Sequence, residues 1–421
     1  MSSKPNAIVA QSGGPTAVIN SSACGVIQEA IKSGKIGRIL GATNGILGVL
    51  KEDLFDISAE KPETIEALRQ TPAAAIGSCR YKLKSLEDSK ADYERILDVF
   101  KAHNIHYFFY IGGNDSMDTA DKVNKLAAQD GYELVCMGVP KTIDNDLAYT
   151  DHCPGYGSTA KYVATCAMEA GRDTEALYTT DTCTILEVMG RNAGWLAAAT
   201  GLARRCAEDA PHLIYMPEAA FSFDKLVNDV REVLKEVGRV FIVVGEGLKD
   251  KNGRYITADT GAFGKDSFGH TQLGGVAEML KSVIEREVGI KARFNKLGTN
   301  QRSAIHFASL TDSNEAYMCG QMAVKYAMDG VNGKMVTLVR EKSAEYKCVT
   351  GLAELIDVAN GEKKVPAEYI NDEGNNITDA MRDYVRPLVQ GEVPVDIGED
   401  GLPAFMRFER RPVEKKLPKY L

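Results

Sequence analysis

Along the chain, short unbroken apolar runs alternate with longer stretches in which apolar positions recur every three or four residues. The runs suit strands covered on both faces of a parallel sheet, and the longer stretches suit helices packed over it. Strands are predicted at 7–10, 38–42, 107–111, 134–139, 183–188, 213–216, 240–244, 293–297 and 335–339. Helices are predicted at 16–32, 92–102, 159–171, 193–207, 225–237 and 314–328. This alternation, carried through twice, predicts an α/β protein of two domains. Beyond Glu341 the strand pattern fades, and a loop-forming NDEGNN at 371–376 precedes a helix expected over 378–389.

Length and composition change this picture only by exclusion. A chain of 421 residues can form two real cores, and 44% hydrophobic with 26% charged residues is ordinary for a globular protein. Neither a membrane span nor a signal peptide is evident, so a soluble cytoplasmic protein with no membrane partner is expected. A net charge of −8 without a Lys/Arg block excludes an electrostatic footprint for nucleic acid, so any site for anionic metabolites must be local. Nine cysteines without a CxxC pair fit neither a disulfide framework nor a zinc site and are expected to be reduced core residues.

The candidate chemistry sits where strands end. SGGPTAVIN at 12–20 follows the first strand and opens a helix, so its glycine amides and the helix N-terminus can face an anion. IGGNDS at 111–116 repeats that logic, with Asn114 and Asp115 placed to cap a helix or to hold a metal through water. PKTIDND at 140–146 puts Lys141, Asp144 and Asp146 together at a strand's carboxyl end. There Asp144 can accept a proton from a sugar hydroxyl attacking phosphorus, and Lys141 can offset the charge on the transferring group. Three further strand ends carry Arg191, Glu246 and Arg302; the arginines suit a phosphate monoester, and the glutamate can accept from sugar hydroxyls. GYGSTA at 155–160 matches a dinucleotide fingerprint, but it follows YTDHCP rather than a strand, so the required context fails.

Taken in order, SGGPTAVIN, GSCR, IGGNDS, PKTIDND, MGR, PE, GEG and LGTNQR resemble the 6-phosphofructokinase family, from about Ala7 to Arg340. The resemblance implies two Rossmann-like three-layer αβα domains enclosing a cleft. A donor domain would comprise 1–155 plus 306–340, a fructose 6-phosphate domain 156–305, and a C-terminal extension, mostly helix and loop, 341–421. Carried over by position, Asp144 is the general base with Thr142 and Asp146 beside it. Met189, Gly190, Arg191, Glu246, Thr299 and Arg302 fall at sugar-phosphate positions, and Gly14 and Arg80 at donor-phosphate positions. Arg293 matches an arginine that reaches a neighbouring subunit's substrate, which implies a homodimer or homotetramer. The implied cofactor is Mg2+, with Asn114 and Asp146 as its contacts, and Lys296 is a further cation available to the sugar phosphate.

The donor loops depart from those of ATP-dependent members, which resemble GGDGS and PGTIDND. Here Asp115 and Lys141 stand where glycines would be, as in the diphosphate-dependent branch. A carboxylate at Asp115 repels the α-phosphate of a nucleotide, while the shorter diphosphate ends before reaching it. Diphosphate and fructose 6-phosphate are therefore the expected substrates, with ATP use or a non-catalytic sugar-phosphate-binding subunit as the alternatives.

Overall fold

The computed structural model describes residues 4–85, 87–258 and 275–420. Its first sheet has seven strands in the order β11-β10-β5-β4-β1-β2-β3. These are β1 (Asn6–Gln11), β2 (Ile39–Ala42), β3 (Leu54–Asp56), β4 (Ile105–Gly112), β5 (Val135–Pro140), β10 (Lys334–Arg340) and β11 (Cys348–Glu354). The second sheet is parallel, in the order β7-β8-β6-β9, from β6 (Cys183–Val188), β7 (Leu213–Tyr215), β8 (Val240–Gly245) and β9 (Ala292–Lys296). Within the first sheet only β3 and β11 run antiparallel to their neighbours. The strands β1, β6 and β8 are buried at every position, as apolar runs sandwiched between helical layers should be. The chain is thus an α/β protein built on two largely parallel sheets.

From β1 the strand order runs to β2 on one side and to β4 and β5 on the other, so a crevice opens at the carboxyl ends of β1 and β4. The late helix Leu310–Met328 returns to this first unit by packing on Ile19–Ser33. The two helices cross at glycines: a Cβ on Gly25 would lie 2.2 Å from Tyr317 O, and one on Gly320 2.1 Å from Ser22 O. Backbone contact this close has no room for a larger residue. That return places β10 beside β5.

Several expected elements differ. The stretch beyond Glu341 is not only helix and loop, because β11 pairs with all of β10 along the sheet edge. Its residues are at best half-buried, so it lacks the apolar run that marks an interior strand. The helix expected over 193–207 is confined to Trp195–Ala199 plus a 3-10 turn, Thr200–Ala203. Ile377 packs where a Cβ on Gly201 would stand, 2.3 Å from its Cδ1. The helix expected over 378–389 becomes Asp379–Val385, tightening into a 3-10 turn at Arg386–Val389 around Pro387. Tyr156–Leu177 runs beyond its expected bounds at both ends, and Val276–Glu287 was not anticipated. Cys206 is exposed, unlike the buried Cys24, Cys79, Cys136, Cys153, Cys183 and Cys319, so it is not a core residue. No described helix is long and apolar enough to cross a membrane.

The last residues close over the first unit around a buried carboxylate. Glu52 is 1% exposed, accepts from the amides of Lys416 and Leu417, and lies 2.7 Å from His103 Nε2 and 3.4 Å from Arg95 Nη2. Burial alone would raise its pKa from the ordinary 4.5, but these donors outweigh burial and hold it lower. The stability it contributes is therefore present above its unfolded-state value and lost as pH falls through the lower folded one. Glu52→Ala, which strands His103 and Arg95 in the interior, is expected to cost about 3–5 kcal/mol. Chemical denaturation at neutral pH measures that loss, and repeating it below pH of about 4 should show the gap between parent and variant narrowing.

Candidate active site

The carboxyl ends of both sheets meet at one cleft of about 380 Å³. The first sheet supplies Gly14 after β1, Asn114 and Asp115 after β4, and Lys141, Thr142, Asp144 and Asp146 after β5, with Arg80 beside them. The second supplies Met189 and Arg191 after β6, Glu246 after β8 and Arg302 beyond β9. Gly190 is buried between Met189 and Arg191 at φ 130°, a conformation only glycine adopts freely.

The glycine loop is shaped by the cations across from it. Lys141 Nζ donates to Gly14 O at 2.8 Å. A Cβ on Gly13 would lie 3.1 Å from Lys141 Nζ, and one on Gly14 3.1 Å from Arg302 Nη1. Arg302 Nε is buried with no hydrogen-bond partner among the described residues. A half-buried guanidinium whose buried Nε is an unused donor beside a glycine loop is suited to an anion. Within PKTIDND, the Asp144 amide donates to Thr142 Oγ1 at 3.1 Å, and Asn145 adopts φ 54°.

Some expected site residues lie elsewhere. Arg293 is the second residue of β9, level with Thr184, and so stands at the strand end away from the cleft. It is 58% exposed and pairs with Asp181 at 2.5 Å. Thr299 is exposed on the 3-10 turn Gly298–Arg302 and does not line the cleft. Lys296 lies 3.8 Å from Glu187 Oε1, outside the cleft lining.

The phosphofructokinase family model matches residues 6–327. The chain belongs to the phosphofructokinase family. It is similar to the pyrophosphate–fructose 6-phosphate 1-phosphotransferase of Xanthomonas campestris, 49% identical over 98% of each chain. The protein of the same name from Halomonas elongata is 47% identical over 99% of each chain. The crystal structure of the pyrophosphate-dependent phosphofructokinase from Marinobacter aquaeolei superposes with a TM-score of 0.90 at 43% identity, over 99% of each chain.

The cleft's electrostatics centre on crowded carboxylates. Burial, then Asp146 and Glu246, push Asp144 up to about 7, against the pull of Lys141 and Arg191. Burial likewise raises Asp146 and Glu246, and it brings Lys141 down to about 8. Burial, with Arg80 nearby, holds the Arg302 guanidinium below its usual range. A site that penalises each of these charges in isolation is relieved by a polyanionic substrate with its counter-cation.

The oxygen donors Asp146 and Asn114 suit Mg2+, which takes one or two carboxylates together with substrate phosphates rather than a full protein cage. Among the described residues, a convergence of three acidic, His or Cys ligands stands at His152, Glu315 and Cys348, away from the cleft lining. Asp115 is committed otherwise: Lys82 Nζ lies 2.8 Å from its Oδ1. The dinucleotide-like GYGSTA is also spoken for, because Asp312 accepts from the amides of Gly155 at 2.9 Å and Ser158 at 2.8 Å. A carboxylate of the protein itself thus holds the helix end that a dinucleotide phosphate would need.

Sequence reasoning missed Lys82, Gln301 and Glu362. Gln301 Oε1 accepts from the Met189 amide at 3.0 Å, and Glu362 lines the cleft from the C-terminal extension. Lys82 stands two residues beyond the GSCR stretch and could have been found from it. Glu362 carries no local signal.

Proposed function

We propose that the protein is a diphosphate-dependent 6-phosphofructokinase, transferring a phosphoryl group reversibly from diphosphate to the 1-hydroxyl of fructose 6-phosphate. The products are fructose 1,6-bisphosphate and phosphate. The observation that carries the donor assignment is the presence of Asp115 and Lys141 on adjoining donor loops of the cleft, with Asp115 fixed by Lys82. The names of the full-length relatives support the same donor and acceptor.

In this reading Arg191 and Arg302 hold the 6-phosphate, with the Met189 and Gly190 backbone beside the sugar and Glu246 accepting from its hydroxyls. Arg80 and the loop at Gly14 hold the diphosphate. Asp144 takes the proton of the 1-hydroxyl as its oxygen bonds to the nearer phosphorus, and the bridging P–O bond breaks to release phosphate. Lys141 meets the charge that spreads over the transferring group. A base raised to about 7 accepts the proton in one direction and returns it in the other at little cost near neutral pH. Mg2+, held by Asp146 and Asn114, would neutralise diphosphate charge when bound.

Arg293, facing away from its own cleft, fits a role at a neighbouring subunit's site, and the enzyme is proposed to act as a cytoplasmic homodimer or homotetramer. A coupled assay offering diphosphate or ATP with fructose 6-phosphate and Mg2+ tests the donor. Turnover with diphosphate at least about 100-fold above that with ATP is expected. Rapid turnover with ATP and none with diphosphate rejects the proposal, and sugar-phosphate binding without turnover on either donor identifies a non-catalytic subunit.

A further inference from the structure

The segment Gly361 to Val365 of the C-terminal extension crosses the back of the catalytic loop and ties it to the sugar-side loop. The Lys363 amide donates to Asp146 O at 2.7 Å. Its Nζ donates to Asp151 O at 2.7 Å, Thr150 O at 3.1 Å and Asn145 Oδ1 at 3.4 Å. On the other side Lys363 O accepts from Trp195 Nε1 at 3.1 Å, and the ammonium lies 5.3 Å from the centroid of the Trp195 ring. Glu218 Oε1 accepts from both the Gly194 amide at 2.9 Å and the Val365 amide at 3.0 Å. One short strap therefore fixes the segment 145–151 and the turn 194–195 at once.

What it fixes is a strained residue between two functional carboxylates. Asn145 has a left-handed φ of 54° and a side chain with no exposure. Left-handed backbone is costly for a residue with a Cβ and persists where the surroundings over-determine it. Here Asn145 Oδ1 accepts from the Cys153 amide at 3.0 Å as well as from Lys363, and its Nδ2 donates to Tyr384 Oη at 2.9 Å. Tyr384 Oη in turn donates to Asp151 O at 2.7 Å. The orientation of Asp144 and Asp146 follows from the conformation of the residue between them.

We infer that Lys363 is a positioning residue for the transfer step, holding the Asp144–Asp146 turn in its reactive geometry from a segment outside the family-matched residues. It does not line the cleft, so its loss is expected to act on the rate of transfer rather than on binding. Displacing a reacting group by about 1 Å is enough to slow a reaction on the order of 100-fold.

The test is Lys363→Met in the full-length protein, assayed in both directions with melting temperature measured alongside. A kcat lower by about 10- to 100-fold, with KM for fructose 6-phosphate and for diphosphate within about threefold of the parent, supports the role. A folded variant with kcat within about twofold of the parent, or one whose loss lies in KM, overturns it. Should Lys363→Met fail to fold, Tyr384→Phe removes one hydroxyl from the same network; a several-fold loss in kcat at constant KM supports the role and an unchanged kcat overturns it. The inference rests on Asp144 as the base. Normal turnover by Asp144→Ser would defeat that assignment whatever Lys363 does, whereas an inactive Asp144→Ser beside a fully active Lys363→Met defeats only the positioning role.

Discussion

Asp144→Ser is expected to fold as the parent does and to lose about two to four orders of magnitude in turnover, in both directions. The change removes the group proposed to exchange the proton of the 1-hydroxyl, while Arg191, Arg302 and Glu246 keep their positions in the cleft. Fructose 6-phosphate affinity should therefore change little, and steady-state kinetics should put the loss in kcat. Folding should not suffer, since a carboxylate whose pKa is pushed up by desolvation and by Asp146 is itself unfavourable in the cleft. Binding of fructose 6-phosphate measured by calorimetry separates a lost base from a lost site. Near-normal turnover in a folded variant would remove Asp144 from the chemistry.

The second large effect concerns the donor. Asp115→Gly alone is expected to raise ATP kcat/KM by less than about threefold, and Asp115→Gly combined with Lys141→Gly by about 5- to 150-fold more than the two single changes predict together. The two positions share one corner: β4 and β5 are neighbours paired at Gly112 and Pro140, and the Lys141 amide donates to Gly112 O at 3.0 Å. The Lys82–Asp115 pair bears on the physical basis proposed for excluding a nucleotide. Because Lys82 pairs with Asp115, the carboxylate acts less as a bare repelling charge than as a pinned group occupying nucleotide space. Removing it leaves Lys141 buried at the transfer point and releases the ammonium of Lys82 nearby. The double variant should also lose most diphosphate turnover, since Lys141 is the cation proposed to face the phosphoryl group. Kinetics with both donors on the parent, the single variants and the double variant measure the coupling. Efficient ATP use by Asp115→Gly alone would show that the two positions act independently.

How much of the cleft could be read in advance depends on where each residue sits. Asp144, Lys141, Asp115, Arg191, Glu246 and Arg302 follow directly on strands or close beyond them, and strands in a doubly covered sheet announce themselves as apolar runs. Once the strands are placed, parallel topology brings those ends to one side. Arg293 and Thr299 were named by position in a family pattern, and the fold leaves both outside this chain's own cleft because one stands at the far end of β9, where a neighbouring subunit was expected to use it, and the other on an exposed turn.

The residues that hold the cleft together obey a different rule. Lys363 and Asn145 lie 218 positions apart, and Glu362 comes from a stretch with neither helical nor strand period. Likewise β11 is an edge strand, too little buried to need an apolar pattern. Local sequence by itself determined the α/β class, the strand ends and the charged groups proposed for the chemistry, because side-chain periodicity and glycine turns are written over a few neighbouring residues. Only the tertiary structure decided which remote segment ties down Asn145, which cation pins Asp115 and how the tail covers Glu52. Hydrogen bonds and ion pairs between distant segments need partners at the right distance, and no short-range pattern specifies where a remote partner will come to rest.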